Sequence, residues 1–139
     1  MPNRTYAKEW LEIAIRNLIT ARHLFDVEHF TDIIGIEIQQ SIEKALKSIL
    51  AYHNQKIPKE HDLVKLYFVL DDKLKLNDDE IVKLKIATNY FKEDRYPNPN
   101  YCLPPRDEIE DILEFSERLF EDICNDLGVD KSKLNSRGI

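Results

Sequence analysis

The segment YFKEDRYPNPNYCLPPR, from Tyr90 to Arg106, concentrates the side chains most capable of chemistry. It holds four of the chain's six prolines and three of its six tyrosines. At its centre Arg95 stands between Asp94 and Tyr96. A guanidinium presents a planar fork of donors that fits two oxygens of a carboxylate or of a phosphate. Arg95 therefore reads either as a local partner of nearby carboxylates and of its helix end, or as a cation that faces a ligand. Tyr90 and Tyr96 are expected to bury their rings beside the break, and the prolines to stiffen it.

A second polar set lies upstream. Gln39, Gln40, Glu43, Lys44 and Lys47 share one helical stretch. One reading is a solvated face with charge pairing between neighbouring turns. The other is that Glu43, Lys44 and Arg95 converge in a polar patch between helices. His61 is expected to cap the helix it opens or to satisfy a buried acceptor. His23, His29 and His53 lack the three- or four-residue step that would put two ligands on one helix face. Cys102 and Cys124 are too few and too far apart for a zinc site or a disulfide framework, so reduced thiols are expected. The sequence calls for no metal and no cofactor.

Long helices must position these residues. Ala7, Leu11, Ala14, Leu18, Ala21 and Phe25 recur in steps of four and three, which predicts a helix over 5–28 with Thr5 as its N-cap. Ile34, Ile38, Ile42, Ala45 and Ile49 predict a second over 31–54. Gly35 sits inside it at a cost of about 1 kcal/mol relative to Ala, which points to a close approach of another helix there. Pro58 marks a loop, and Leu63, Leu66, Tyr67 and Leu70 predict a short helix over 62–70. Asn77 and Glu80 have capping-box spacing and open a fourth helix through Ile81, Leu84, Ala87, Tyr90 and Phe91, which weakens near Tyr96 before Pro97. A last helix starts near Pro105 and stops at Gly128. The fold class is all-α: a single-domain antiparallel up-down bundle of about five helices. One domain spans 1–139, with a core over 5–127 and a polar, frayed tail over 128–139.

Composition narrows the functional classes. The chain has 139 residues, 42% hydrophobic and 33% charged, with only 3 glycines, which suits one soluble core with few tight turns. The net charge of -6 argues against coating long nucleic acid through a basic face, so any such contact must be local. No run is apolar enough to span a bilayer and no signal segment is visible, so a cytoplasmic protein without membrane contact is expected.

Three motifs, in order, resemble one family. IQQSIEKALKSIL (Ile38–Leu50), HDLVKL (His61–Leu66) and NYFKEDRYP (Asn89–Pro97) resemble segments of HEPN domains, which take their name from higher eukaryotes and prokaryotes nucleotide-binding. The resemblance covers Thr5 to about Leu127. It implies a compact helical bundle that forms homodimers and binds nucleotide or RNA. It also implies a partner with a minimal nucleotidyltransferase fold, as in toxin–antitoxin pairs. Active members are metal-independent endoribonucleases with an Arg followed, after four to six residues, by a His.

That arginine maps onto Arg95, which the resemblance makes a catalytic or phosphate-binding residue. The matching downstream positions are Asn100, Tyr101 and Cys102, and none is His. Tyr101 is the nearest substitute. An unperturbed phenol titrates near about 10, which makes it a poor base at neutral pH, but it can donate a hydrogen bond or stack on a base. It is also a candidate acceptor of AMP from such a partner. Tyr96, Glu43 and Lys44 complete the nucleotide- or RNA-binding set. Three readings stay open: a nucleotide- or RNA-binding member of a nucleotidyltransferase pair, an active endoribonuclease toxin using Arg95, and a structural helical adaptor without ligand.

Overall fold

The computed structural model describes residues 1–91 and 102–134. The described residues form α1 (Arg4–Asp26), α2 (Thr31–Tyr52), α3 (Leu63–Leu70), a 3-10 turn (Asp71–Lys73), α4 (Asp78–Thr88), α5 (Arg106–Leu127) and α6 (Lys131–Leu134), with no strand among them. The backbone N–H of Asn3 reaches the carbonyl of Tyr52 at 2.7 Å, so the start of α1 lies beside the end of α2. Arg4 Nε likewise donates to the carbonyl of Leu127 at 3.2 Å, and Arg106 to the carbonyl of His29 at 2.6 Å. Both α2 and α5 therefore run antiparallel to α1.

The α1–α2 contact is the most extensive in the molecule. Ala7, Ala14 and Ala21, seven residues apart, are fully buried and let α2 approach closely. The Ser41 hydroxyl crosses that seam to the carbonyl of Ala14 at 2.9 Å. Leu11, Ile34, Ile38, Leu46 and Leu50 fill the same core, with Phe115 and Phe120 from α5. Each such side chain contributes about 1.5–3 kcal/mol by leaving water. The smaller α3–α4 pair packs at the side of α2 and α5.

Several ends differ from expectation. The N-cap of α1 is Asn3, whose Oδ1 accepts from the Tyr6 N–H at 3.1 Å; Thr5 lies inside the first turn instead. Asn77 and Glu80 form the full capping box, at 2.8 and 3.1 Å. Pro105 is the N-cap of α5 rather than its first residue, and Gly128 ends that helix at φ 68°. The fourth helix ends at Thr88, short of Tyr90 and Phe91. Those two rings turn away from the helical track, Tyr90 onto Gly35 and Phe91 onto His61.

A Cβ added at Gly35 would stand 2.7 Å from Tyr90 Cγ, so the close approach at this glycine is a ring rather than another helix. Tyr90 is buried and donates its hydroxyl to Glu108 at 2.6 Å. Burial, then that carboxylate, raise its pKa. The described part of the tail, residues 128–134, packs more than its polarity suggests. Val129 and Leu134 are buried, and Asp130 accepts from the Ser132 N–H at 3.0 Å, so the core continues past Leu127.

Candidate functional site

Gln39, Glu43 and Lys47 stand four residues apart on α2 and so share a face. All three are buried, Glu43 to 1% exposure. The expectation of a solvated face is corrected for these residues. Their stripe meets the start of α3, and that contact encloses it.

Each Glu43 oxygen takes two donors. Oε1 accepts from Gln39 Nε2 at 3.1 Å and from His61 Nδ1 at 2.9 Å. Oε2 accepts from Lys47 Nζ at 2.9 Å and from Lys44 Nζ at 3.4 Å. Four donors match the acceptor capacity of an ionised carboxylate. The same network closes on itself. Gln39 Nε2 also donates to the His61 carbonyl at 2.9 Å, Gln40 Nε2 donates to Gln39 Oε1 at 2.7 Å, and Lys44 Nζ donates to Gln40 Oε1 at 2.9 Å. Lys47 Nζ lies 6.0 Å from the centre of the Trp10 ring, where the π face favours a cation.

Burial alone would push the Glu43 carboxyl up. The hydrogen bonds from His61, Lys47 and Gln39 and the charge of Lys44 more than offset it, and the pKa falls below the usual carboxylate value. Glu43 is therefore ionised at neutral pH. An ionised carboxylate only accepts, so His61 Nδ1 carries the hydrogen and donates it. Two ammoniums against one carboxylate leave this set of side chains positive.

His61 is held from a second side. Its ring centre lies 4.7 Å from that of Phe91, with 37° between the planes. Thr88 Oγ1 accepts from the Leu63 N–H at 3.0 Å and donates to the Leu84 carbonyl at 2.9 Å, which ties the start of α3 to the end of α4. The His61 side chain keeps 41% of its surface exposed, so the ring sits at the border of the buried network and the solvent.

Among the predicted site residues, Lys44 Nζ lies 3.4 Å from Glu43 Oε2. Arg95, Tyr96 and Tyr101 lie outside the described residues, and so does the expected convergence of Arg95 with Glu43. Phe91 is the last described residue before that segment, four positions from Arg95 in sequence. His61 satisfies a buried acceptor, one of its two expected roles, and what the sequence did not name is Glu43 as that acceptor. The available signal was the polar stripe 39–43–47 on a helix whose inner row is Ile34, Ile38, Ile42, Ala45 and Ile49.

An open groove of about 1090 Å³ lies elsewhere, between α1, α5 and α6, and none of the predicted site residues lines it. Arg22 spans it to Glu117, with Nε to Oε2 at 3.0 Å. Among the described residues no His, Cys, Asp and Glu group could hold a metal, and no helix is long and apolar enough to cross a membrane.

Comparison with known proteins fits this architecture. The structure of TT1696 from Thermus thermophilus superposes with a TM-score of 0.73 at 23% identity, covering 86% of this chain and 97% of that one. ST0689, an archaeal HEPN homologue, superposes with a TM-score of 0.66 at 18% identity, covering 87% and 97%. At these identities the likeness concerns the fold. No curated protein matches the sequence. The HEPN domain matches residues 7–127, from the first alanine of the α1 stripe to the last residue of α5, and the chain belongs to the HEPN domain family.

Proposed function

We propose that this chain binds the phosphates of a nucleotide or of RNA through Arg95 together with Lys44 of α2. Arg95 supplies the bidentate cation, Lys44 a second positive charge, and Tyr96 and Tyr101 rings or hydroxyls for the base or sugar. Glu43 is too buried to touch a ligand and acts as a positioning residue for Lys44 and His61. The observation that carries this reading is the buried Glu43 with four donors, an electropositive network beside the end of α4 that leads into Arg95. A local cation cluster also reconciles phosphate binding with a chain of net charge -6.

The working unit in this proposal is a cytoplasmic homodimer paired with a minimal nucleotidyltransferase, which uses Tyr101 as its AMP acceptor. Titration calorimetry with ATP and with a short single-stranded RNA tests the site. Losing a charge-assisted hydrogen bond removes about 1.5–3 kcal/mol, so Arg95→Ala is expected to weaken binding about 10- to 100-fold. Equal affinity of both proteins for both ligands overturns the assignment.

A further inference from the structure

The open groove between α1, α5 and α6 has a chemical preference of its own. We infer that it is a docking surface for a basic amphipathic helix of a partner protein. The groove is lined by none of the residues assigned to phosphate binding, so the two assignments stand or fall separately.

Charge is the first observation. Helix α5 carries nine carboxylates and two arginines, a charge of -7. The whole chain carries -6, so everything outside α5 amounts to +1. The acidity belongs to one helix and is not a general solubilising charge. At the end of the groove near the α1–α2 turn, Glu117, Asp26 and Glu114 all bear on the single guanidinium of Arg22. Three carboxylates against one cation leave that end negative. Arg118, Glu121 and Lys131 line the remainder of the groove with both signs.

Shape is the second observation. Ile15, Leu18 and Ile19 of α1 supply an apolar floor. Ile19 is 43% exposed although Ile15 and Leu18 beside it are buried. Both long walls are helices whose backbone groups bond internally, so an extended peptide finds no strand edge to pair with. A helix satisfies its own backbone and needs only side-chain contacts. From Ile15 to Asp26 the α1 wall runs about 16 Å, the length of about three helical turns. Such a helix lays apolar residues on the isoleucines and sets Lys or Arg over Asp26 and Glu114. A second copy, docked through the same groove about a two-fold axis, would set one acidic α5 beside another. A phosphate chain is repelled in the same way.

The probe is a labelled synthetic helix of about 18 residues with Leu at helical spacing on one face and Lys on the other. Binding to the full chain is read by fluorescence anisotropy. The peptide is expected to bind, and less tightly in high salt. Asp26→Lys with Glu114→Lys turns two attractions at exposed positions into repulsions and is expected to weaken binding about 10-fold. Asp122→Lys with Asp126→Lys makes the same change of charge on exposed positions of α5 outside the groove and is expected to weaken it far less. Ile19→Asp is expected to weaken it at unchanged melting temperature. Equal losses from the two charge pairs, or equal binding of a peptide with the same residues in scrambled order, reduce the contact to general attraction and overturn the docking assignment. So does an absence of binding, or tighter binding of the matching Leu and Glu peptide. A dimer seen in sedimentation that Ile19→Asp dissolves gives the groove to a second copy and overturns it as well.

Discussion

Two carboxylates, Glu43 and Glu117, each join elements distant in sequence, and they do so in opposite environments. The Glu43 side chain is 2% exposed and meets donors from α2 and from His61. Glu117 is 33% exposed and meets the guanidinium of Arg22 on the wall of an open groove. The Arg22–Glu117 pair has the better fork geometry. The Glu43 cluster has the greater leverage on the fold, because water cannot replace a lost partner there. Geometry and energetic weight separate, and burial decides the second.

The largest expected effect follows from removing the buried carboxylate. Glu43→Ala leaves Lys47 and the His61 N–H without their acceptor and is expected to destabilise the protein by about 3–5 kcal/mol in urea unfolding. A loss near that of a surface substitution would erase the contrast between the two sites.

Acid should separate them next. The folded pKa of Glu43 lies below that of an unfolded glutamate, so the unfolded chain binds the proton more readily. Its stabilising contribution is full above about pH 4.3, the unperturbed value, and is lost as pH falls through the lower folded value. Stability measured across that window should fall in the wild type and fall less steeply in Glu43→Gln. Parallel profiles would count against the lowered carboxyl.

The smallest effect belongs to the groove. Glu117→Ala is expected to cost about 0–1 kcal/mol, and less in high salt, because the pair is one-third exposed and screened. A salt-independent loss above that range would make the bridge a second buried-type node.

Much of the bundle was legible in the sequence because its causes are local. The four-and-three steps of α1 and α2, the Asn77–Glu80 box and Gly128 each act within a turn or two of chain. The helix ends that differed were decided from farther away. The fourth helix stops at Thr88 because Tyr90 and Phe91 have partners on α2 and at His61, fifty-five and thirty positions distant. Residues 128–134 pack because Val129 and Leu134 find the core that polar neighbours concealed. The polar stripe was harder still. Lys and Glu four residues apart describe a solvated helix face and a buried network equally well, and only the placement of His61, eighteen residues from Glu43, separates them.

The fit of Tyr90 against Gly35 carries a consequence for how this sequence can drift. With 2.7 Å between an added Cβ and the ring, position 35 cannot grow while the tyrosine is in place. The ring is also tethered at its far end by Glu108, so it cannot simply step aside. Changes at these two positions therefore have an order. The aromatic must shrink first and the glycine can change second.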